Sequence, residues 1–126
     1  MSNCSKFFLI LFSLFFLNNF AHSSENLKLG EKIFKKCKAC HEIKKEKNKT
    51  GPHLINIFGR KAGSLANYKK YSKAIKKSGI IWNEETLDAY LKSPKKFIKG
   101  GRMAFAGLKK EKDRKNVIAY LKKFSK

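Results

Sequence analysis

Acid, sulfur, histidine and proline are all scarce in this chain. Its 126 residues include nine Asp and Glu against 30 Lys and Arg, three Cys, three His, two Met, two Pro and one Trp. The formal net charge of +21 calls for an acidic counterpart: nucleic acid, anionic lipid or an acidic protein patch. No repeat, low-complexity tract or change of composition marks a second domain, and the length suits one. No strand-like alternation leads into the close cysteine pair at 37 and 40, which removes the βαβ setting of a thioredoxin-like redox motif. The uncharged apolar run from Phe7 to Leu17 holds eleven residues, against the about 20 that a membrane-spanning helix needs.

That short run has another reading. Lys6 precedes it, and Ala21-His22-Ser23 places small residues where a signal peptidase reads, so residues 1–23 are a secretory signal peptide. Retention as an anchor is the competing reading, and the run is short for it. Cleavage near Ser23 leaves about 103 residues beginning near Ser24, a single domain over 24–126 in the periplasm. Cys4 and Met1 depart with the signal, so the exported chain keeps only Cys37, Cys40 and Met103. Export also argues against nucleic acid as partner. A domain this small and lysine-rich has little core of its own, and a large buried cofactor would supply apolar surface.

Both remaining cysteines lie in Cys37-Lys38-Ala39-Cys40-His41, the C-x-x-C-H spacing of covalent c-type haem attachment. In a helical turn Cys37, Cys40 and His41 stand at i, i+3 and i+4 and share one face. That face can hold one flat ligand, with two thiols forming thioethers and the imidazole binding iron. Three other readings compete. A thioredoxin-like pair lacks its strand context, as above. Structural zinc would need Cys37, Cys40, His41 and His53 together, with adjacent Cys40 and His41 awkward for a tetrahedron. A disulfide beside an incidental histidine is the third.

Around the motif the pattern is helical. Residues 27–37 read as a helix with Leu27, Gly30, Ile33 and Phe34 near one side, Gly30 marking either close approach of another helix or a frayed first turn. After a charged turn-like stretch comes Thr50-Gly51-Pro52. The Pro52 carbonyl could accept from His41 Nδ1–H, or Pro52 could be a plain turn proline. His53 reads as a solvated loop histidine. In the loop at 57–63, Arg60 either meets a haem propionate or is solvated. Tyr68, Tyr71 and Trp82 bracket a helix over 72–78 ended by Gly79, and their polar tips suit the carboxylates of a buried ligand or an ordinary core. Asn83 caps a further helix that carries Glu84 and Glu85 in its first turn and Leu87, Tyr90 and Leu91 on its apolar side. It stops before Pro94, and residues 94–98 form another short turn. Met103, on a glycine-rich loop, is the one thioether left to complete a His/Met pair. Residues 111–124 form an amphipathic helix with Val117, Ile118, Leu121 and Phe124 on one side, for which the Gly30 and Phe34 face is the natural partner. The fold class is all-α.

From residue 27 onward the chain resembles class I cytochrome c of the mitochondrial and alphaproteobacterial type. The resemblance lies in Gly30-x-x-x-Phe34, Cys37-x-x-Cys40-His41, Thr50-Gly51-Pro52, Phe58-Gly59-Arg60-Lys61, Gly79-Ile80-Ile81-Trp82, Pro94-Lys95-Lys96, the Met103 loop and Ile118-Ala119-Tyr120-Leu121-Lys122-Lys123. It implies a small single-domain cytochrome c fold, with helices around one haem c bound through Cys37 and Cys40 and packed terminal helices. It implies His41 and Met103 as axial ligands, Pro52 orienting His41, Arg60, Tyr71 and Trp82 around a propionate, and Tyr90 near the Met103 sulfur. Two distal positions depart from mitochondrial members: Gly101 stands where they carry threonine and Ile75 where they carry asparagine. The stretch from Phe34 to Cys37 is one residue shorter and the Gly63 to Tyr71 loop one longer than in mitochondrial forms.

The implied function is that of a monomeric periplasmic electron carrier, not an enzyme, cycling between ferrous and ferric iron from a cytochrome bc complex to a terminal cytochrome c oxidase. Its contact with the membrane would be through those redox partners, and a photosynthetic role stays open beside a respiratory one. Lys35, Lys36, Lys38, Lys95, Lys96, Arg102, Lys109 and Lys110 flank the haem-contacting segments and would form a basic ring for acidic docking patches. A haem peroxidase or ligand-binding cytochrome, with Met103 displaced, and a basic binding module without cofactor are the alternatives.

Overall fold

Caps and breakers in the sequence set where α-helical segments at 73–77 and 84–92 start and stop. The computed structural model describes residue 24 and residues 26–126, so the signal-peptide assignment lies outside the described residues. The chain is helical at residues 26–34 (α1), then at Lys73–Lys77 (α2), Glu84–Lys92 (α3), Pro94–Phe97 (α4) and Glu111–Lys122 (α5). Ser72 Oγ accepts from the Ile75 amide at 3.1 Å and starts α2. Asn83 and Thr86 each accept the other's backbone N–H at 2.9 Å, a reciprocal cap on α3 that satisfies two amides left over at a helix start. Glu84 and Glu85 sit in that first turn, where the helix dipole favours negative charge. Pro94 opens α4 at the position where its missing N–H costs nothing.

The helix expected over 27–37 ends sooner. The regular helix stops at Phe34, and residues 35–40 wind on as turns that mix i to i+3 bonds, Lys36 to Ile33 and Cys37 to Phe34, with i to i+4 bonds, Lys38 to Phe34 and His41 to Cys37. The chain tightens there to feed the cysteine pair. Among the described residues there is no strand, only an antiparallel bridge between Lys61 and Ile81. The fold is all-α.

The core is one cluster. It gathers Phe34 of α1, Leu87 of α3, Val117, Ile118, Tyr120 and Leu121 of α5, and Ile43, Ile57, Trp82, Ile98 and Leu108 from the connections. α1 meets α5 at Gly30, where an added Cβ would lie 2.1 Å from the Asn116 carbonyl oxygen and 2.7 Å from Tyr120 Cβ. One turn on, the Phe34 and Tyr120 rings pack 5.6 Å apart. α3 is fastened to α5 by Arg114, whose Nε donates to Asp88 at 2.8 Å while Nη1 donates to the Leu108 and Lys109 carbonyls at 3.0 Å each. The Arg114 side chain is 6 % exposed while Asp88 keeps 39 %, so these bonds are better shielded from water than those of the exposed Lys122–Glu84 pair.

Gly30 decides whether the terminal helices can close. In an open helix, Gly to Ala gains about 0.8–1.0 kcal/mol of helix propensity. Here the methyl would strike a backbone carbonyl that cannot rotate away, and overpacking costs about 1–3 kcal/mol. Gly30→Ala is therefore expected to lower stability, read as a lower guanidinium midpoint with an unchanged denaturant slope.

Candidate functional site

The Cys40 amide donates to the Cys37 carbonyl at 3.1 Å and the His41 amide donates to the same oxygen at 2.9 Å. One helical turn thus carries Cys37, Cys40 and His41 on a common face. Both thiols are free, Cys37 half-buried and Cys40 exposed. Burial pushes the Cys37 thiol up to about 11, with Cys40 adding to the rise and Lys36 opposing it. A thioredoxin-like attacking thiol shows the reverse shift. Nor do three His, Cys, Asp or Glu side chains converge anywhere among the described residues as a zinc site would require.

His41 is held from two sides. Its Nδ1 lies 2.7 Å from the Pro52 carbonyl oxygen, which can only accept, so Nδ1 carries the proton and the Nε2 lone pair is left for a ligand. Burial lowers the imidazole pKa below its ordinary value and outweighs the Pro52 bond, so the ring is neutral at neutral pH. The ring also rests on bare backbone at Gly51, where a Cβ would sit 2.4 Å from His41 Cε1. Two backbone bonds of 2.8 Å, Gly51 to Cys40 and Leu54 to Glu42, clamp that loop to the motif. Pro52 was an expected partner of His41 and Gly51 was not, although the Thr50-Gly51-Pro52 triplet was its signal.

Met103 belongs to a second cluster. The Tyr90 hydroxyl lies 3.7 Å from Met103 Sδ, within hydrogen-bond reach of sulfur. Tyr90 packs 5.0 Å from the Trp82 ring and 6.2 Å from Phe97. Burial raises its pKa to about 12, so it keeps its proton as a donor. The Met103 segment is tied down by the Gly101 amide to Ile98 at 3.1 Å and the Leu108 amide to Leu91 at 2.7 Å.

The remaining residues join these clusters along the chain. Arg60 is neither solvated nor free: Nη1 donates to the His53 carbonyl at 2.8 Å and Nη2 to the Ile55 carbonyl. Burial lowers its pKa and the neighbouring Tyr71 opposes that. Burial raises the Tyr71 pKa, and its ring meets Tyr68 edge-on at 4.7 Å. The Trp82 amide donates to the Arg60 carbonyl at 2.9 Å. His53 corrects the expectation of a solvated loop residue. It is 5 % exposed, because Asn48 Oδ1 takes its amide at 3.0 Å and Arg60 takes its carbonyl, turning the loop inward. Its Nδ1 is buried without a partner.

A haem fits these residues. Two free thiols share one face of a turn with a neutral imidazole whose Nε2 is left for a ligand, the ring nests against a glycine, and a half-buried tyrosine hydroxyl meets a thioether sulfur.

The comparisons with known proteins agree. A family model described as cytochrome c matches residues 27–125. Cytochrome c of Gibberella zeae is 50 % identical over 99 residues, covering 77 % of this chain and 92 % of the fungal one. Cytochrome c2 of Afifella marina is 44 % identical, covering 75 % and 79 %. The solved structure of cytochrome cH from Methylobacterium extorquens superposes with a TM-score of 0.72 at 43 % identity, over 76 % of this chain and 96 % of that one.

His53 links the site loop to pH. Burial first, and the Arg60 charge second, lower its pKa from the ordinary 6.5, while Glu46 opposes them. Below about 6.5 the unfolded chain takes a proton that the folded chain refuses, so the stability present above that pH is lost as pH falls. His53→Asn is expected to flatten this acid slope, measured as denaturation midpoints stepped downward from neutral pH.

Proposed function

The chain belongs to the cytochrome c family, and on that premise we propose that it carries single electrons in a periplasm, from a cytochrome bc complex to a terminal oxidase. The family function is electron transfer, and its members carry a covalent haem c, here with Cys37 and Cys40 at the attachment spacing. When bound, that group supplies the one-electron Fe(II)/Fe(III) couple. The protein's own residues do the rest. Cys37 and Cys40 would hold the ring through thioethers, and His41 and Met103 would bind its iron. Pro52 fixes the tautomer of His41, and Tyr90 orients the Met103 sulfur. Arg60, Tyr71 and Trp82 would surround a propionate, by likeness to the family. With His41 and Met103 both given to the iron, exchangeable ligands would find no open place, which favours a carrier over a peroxidase.

The observation that carries this reading is the pairing of His41 Nδ1 with the Pro52 carbonyl, because it leaves Nε2 as the ring's one free donor. The test is the visible spectrum of protein produced with a c-type haem maturation system. Narrow reduced bands and, in the oxidised form, the weak long-wavelength band of methionine-to-ferric-iron coordination are expected. Met103→Ala is expected to abolish that weak band and lower the reduction potential while haem stays attached. Attached haem without the band in the native protein would replace the carrier by a peroxidase or ligand-binding cytochrome.

The periplasmic placement rests on Lys6, the Phe7 to Leu17 run and the Ala21-His22-Ser23 site, with cleavage near Ser23. Docking rests on charge. Lys35, Lys36, Lys38, Lys95, Lys96, Arg102, Lys109 and Lys110 are all exposed, and among the described residues none of the eight sits in an ion pair. Unpaired surface cations steer a carrier onto acidic patches and favour fast association and release. The bimolecular rate of electron transfer to an acidic redox partner is expected to fall as salt rises and the Debye length shrinks to about 10 Å at 0.1 M. A salt-independent rate would remove the steering role.

A further inference from the structure

We propose that Asn48 is a positioning residue for His41, acting through the peptide unit between Pro52 and His53. That unit is engaged at both ends. Its carbonyl, belonging to Pro52, lies 2.7 Å from His41 Nδ1, and its N–H, belonging to His53, donates to Asn48 Oδ1 at 3.0 Å. The Asn48 amide nitrogen in turn donates to the Asn67 backbone oxygen at 3.2 Å and to Asn67 Oδ1 at the same distance. The partners leave no choice of amide orientation: an N–H faces Oδ1 and a carbonyl faces Nδ2.

The result is a line of hydrogen bonds through two amides, from the Asn67 carbonyl to the imidazole. Each amide that donates at one end becomes a better acceptor at its other end, so the bonds polarise one another. Asn48 therefore strengthens the Pro52 carbonyl as an acceptor and with it the donor power of His41. A more strongly hydrogen-bonded imidazole is the more basic ligand and stabilises the ferric state. The inference rests on ligation of iron by His41.

The same two loops carry a second tie, the Tyr68 hydroxyl donating to the Thr50 carbonyl, which bypasses the Pro52–His53 peptide. It provides the control. In haem-loaded, 15N-labelled protein, the His41 Nδ1–H resonance, its solvent exchange rate and the reduction potential are measured for wild type, Asn48→Ala, Asn48→Asp and Tyr68→Phe. Asn48→Ala is expected to move the resonance upfield, speed exchange about fivefold, as loss of one modest hydrogen bond would, and raise the potential. Asn48→Asp keeps the acceptor and loses the donor, so its resonance stays at or downfield of wild type. Tyr68→Phe loosens the loops but leaves resonance and potential in place. An unchanged resonance in Asn48→Ala, or an equal shift in Tyr68→Phe, overturns the proposal and leaves axial ligation standing. A wild-type His41 ring lacking the shifts of a haem ligand overturns both.

Discussion

The bond between His41 Nδ1 and the Pro52 carbonyl is the constraint on which the rest of the site depends. It chooses the tautomer, orients the ring and exposes one nitrogen. Nothing in a histidine enforces those choices alone; an imidazole in water samples both tautomers and every ring angle. The chain enforces them by building two walls. One is the turn from Cys37 to His41, closed by bonds to a single carbonyl. The other is the loop from Asn48 to Leu54, fastened to that turn by the Gly51 and Leu54 amides. Gly51 lets the second wall come close enough for the bond to form, since any side chain would occupy the ring's place.

The helices serve this arrangement at one remove. α1 delivers the motif, and α1 in turn is positioned by the bare backbone contact of Gly30 with Asn116 on α5. α3 delivers Tyr90, and α3 is positioned against α5 by Arg114 and Asp88. Long connections between short helices would be poorly ordered if their amides faced only water. Here they are paired to each other, Gly59 with Trp82, Trp82 with Arg60 and Ala62 with Ile80, or to a helix end, Leu108 with Leu91 of α3.

Much of this was legible in the sequence because it is local. Ser72 and Asn83 announce helix starts, Gly79 and Pro94 announce stops, and the three-to-four spacing of Val117, Ile118 and Leu121 announces a buried face. The C-x-x-C-H spacing carries its chemistry within five residues. What escaped is what depends on partners distant in sequence. His53 looks like any loop polar residue until Asn48 and Arg60 take its amide and carbonyl. Arg114 looks like one more surface cation until its guanidinium meets Leu108 and Lys109. Gly51 has no periodicity to reveal it, and the end of α1 moves by a few residues because i to i+3 bonds compete closely with i to i+4 at a helix terminus.

The use of the two cations divides accordingly. Only three of the 30 basic residues are arginine, and two of those three turn inward. Arg60 spans the His53 and Ile55 carbonyls in the loop just after Pro52, and Arg114 spans the Leu108 and Lys109 carbonyls just after the Met103 segment. A planar guanidinium can bridge two oxygens from a fixed plane, whereas an ammonium is a strongly hydrated point charge that prefers water. The loop that braces His41 and the segment that carries Met103 are therefore each closed by the cation suited to burial. Lysine, the cation suited to water, is left to cover the surface. Net charge and internal order come from the same basic composition without competing, because the side chains that pin carbonyls are not those that face a partner.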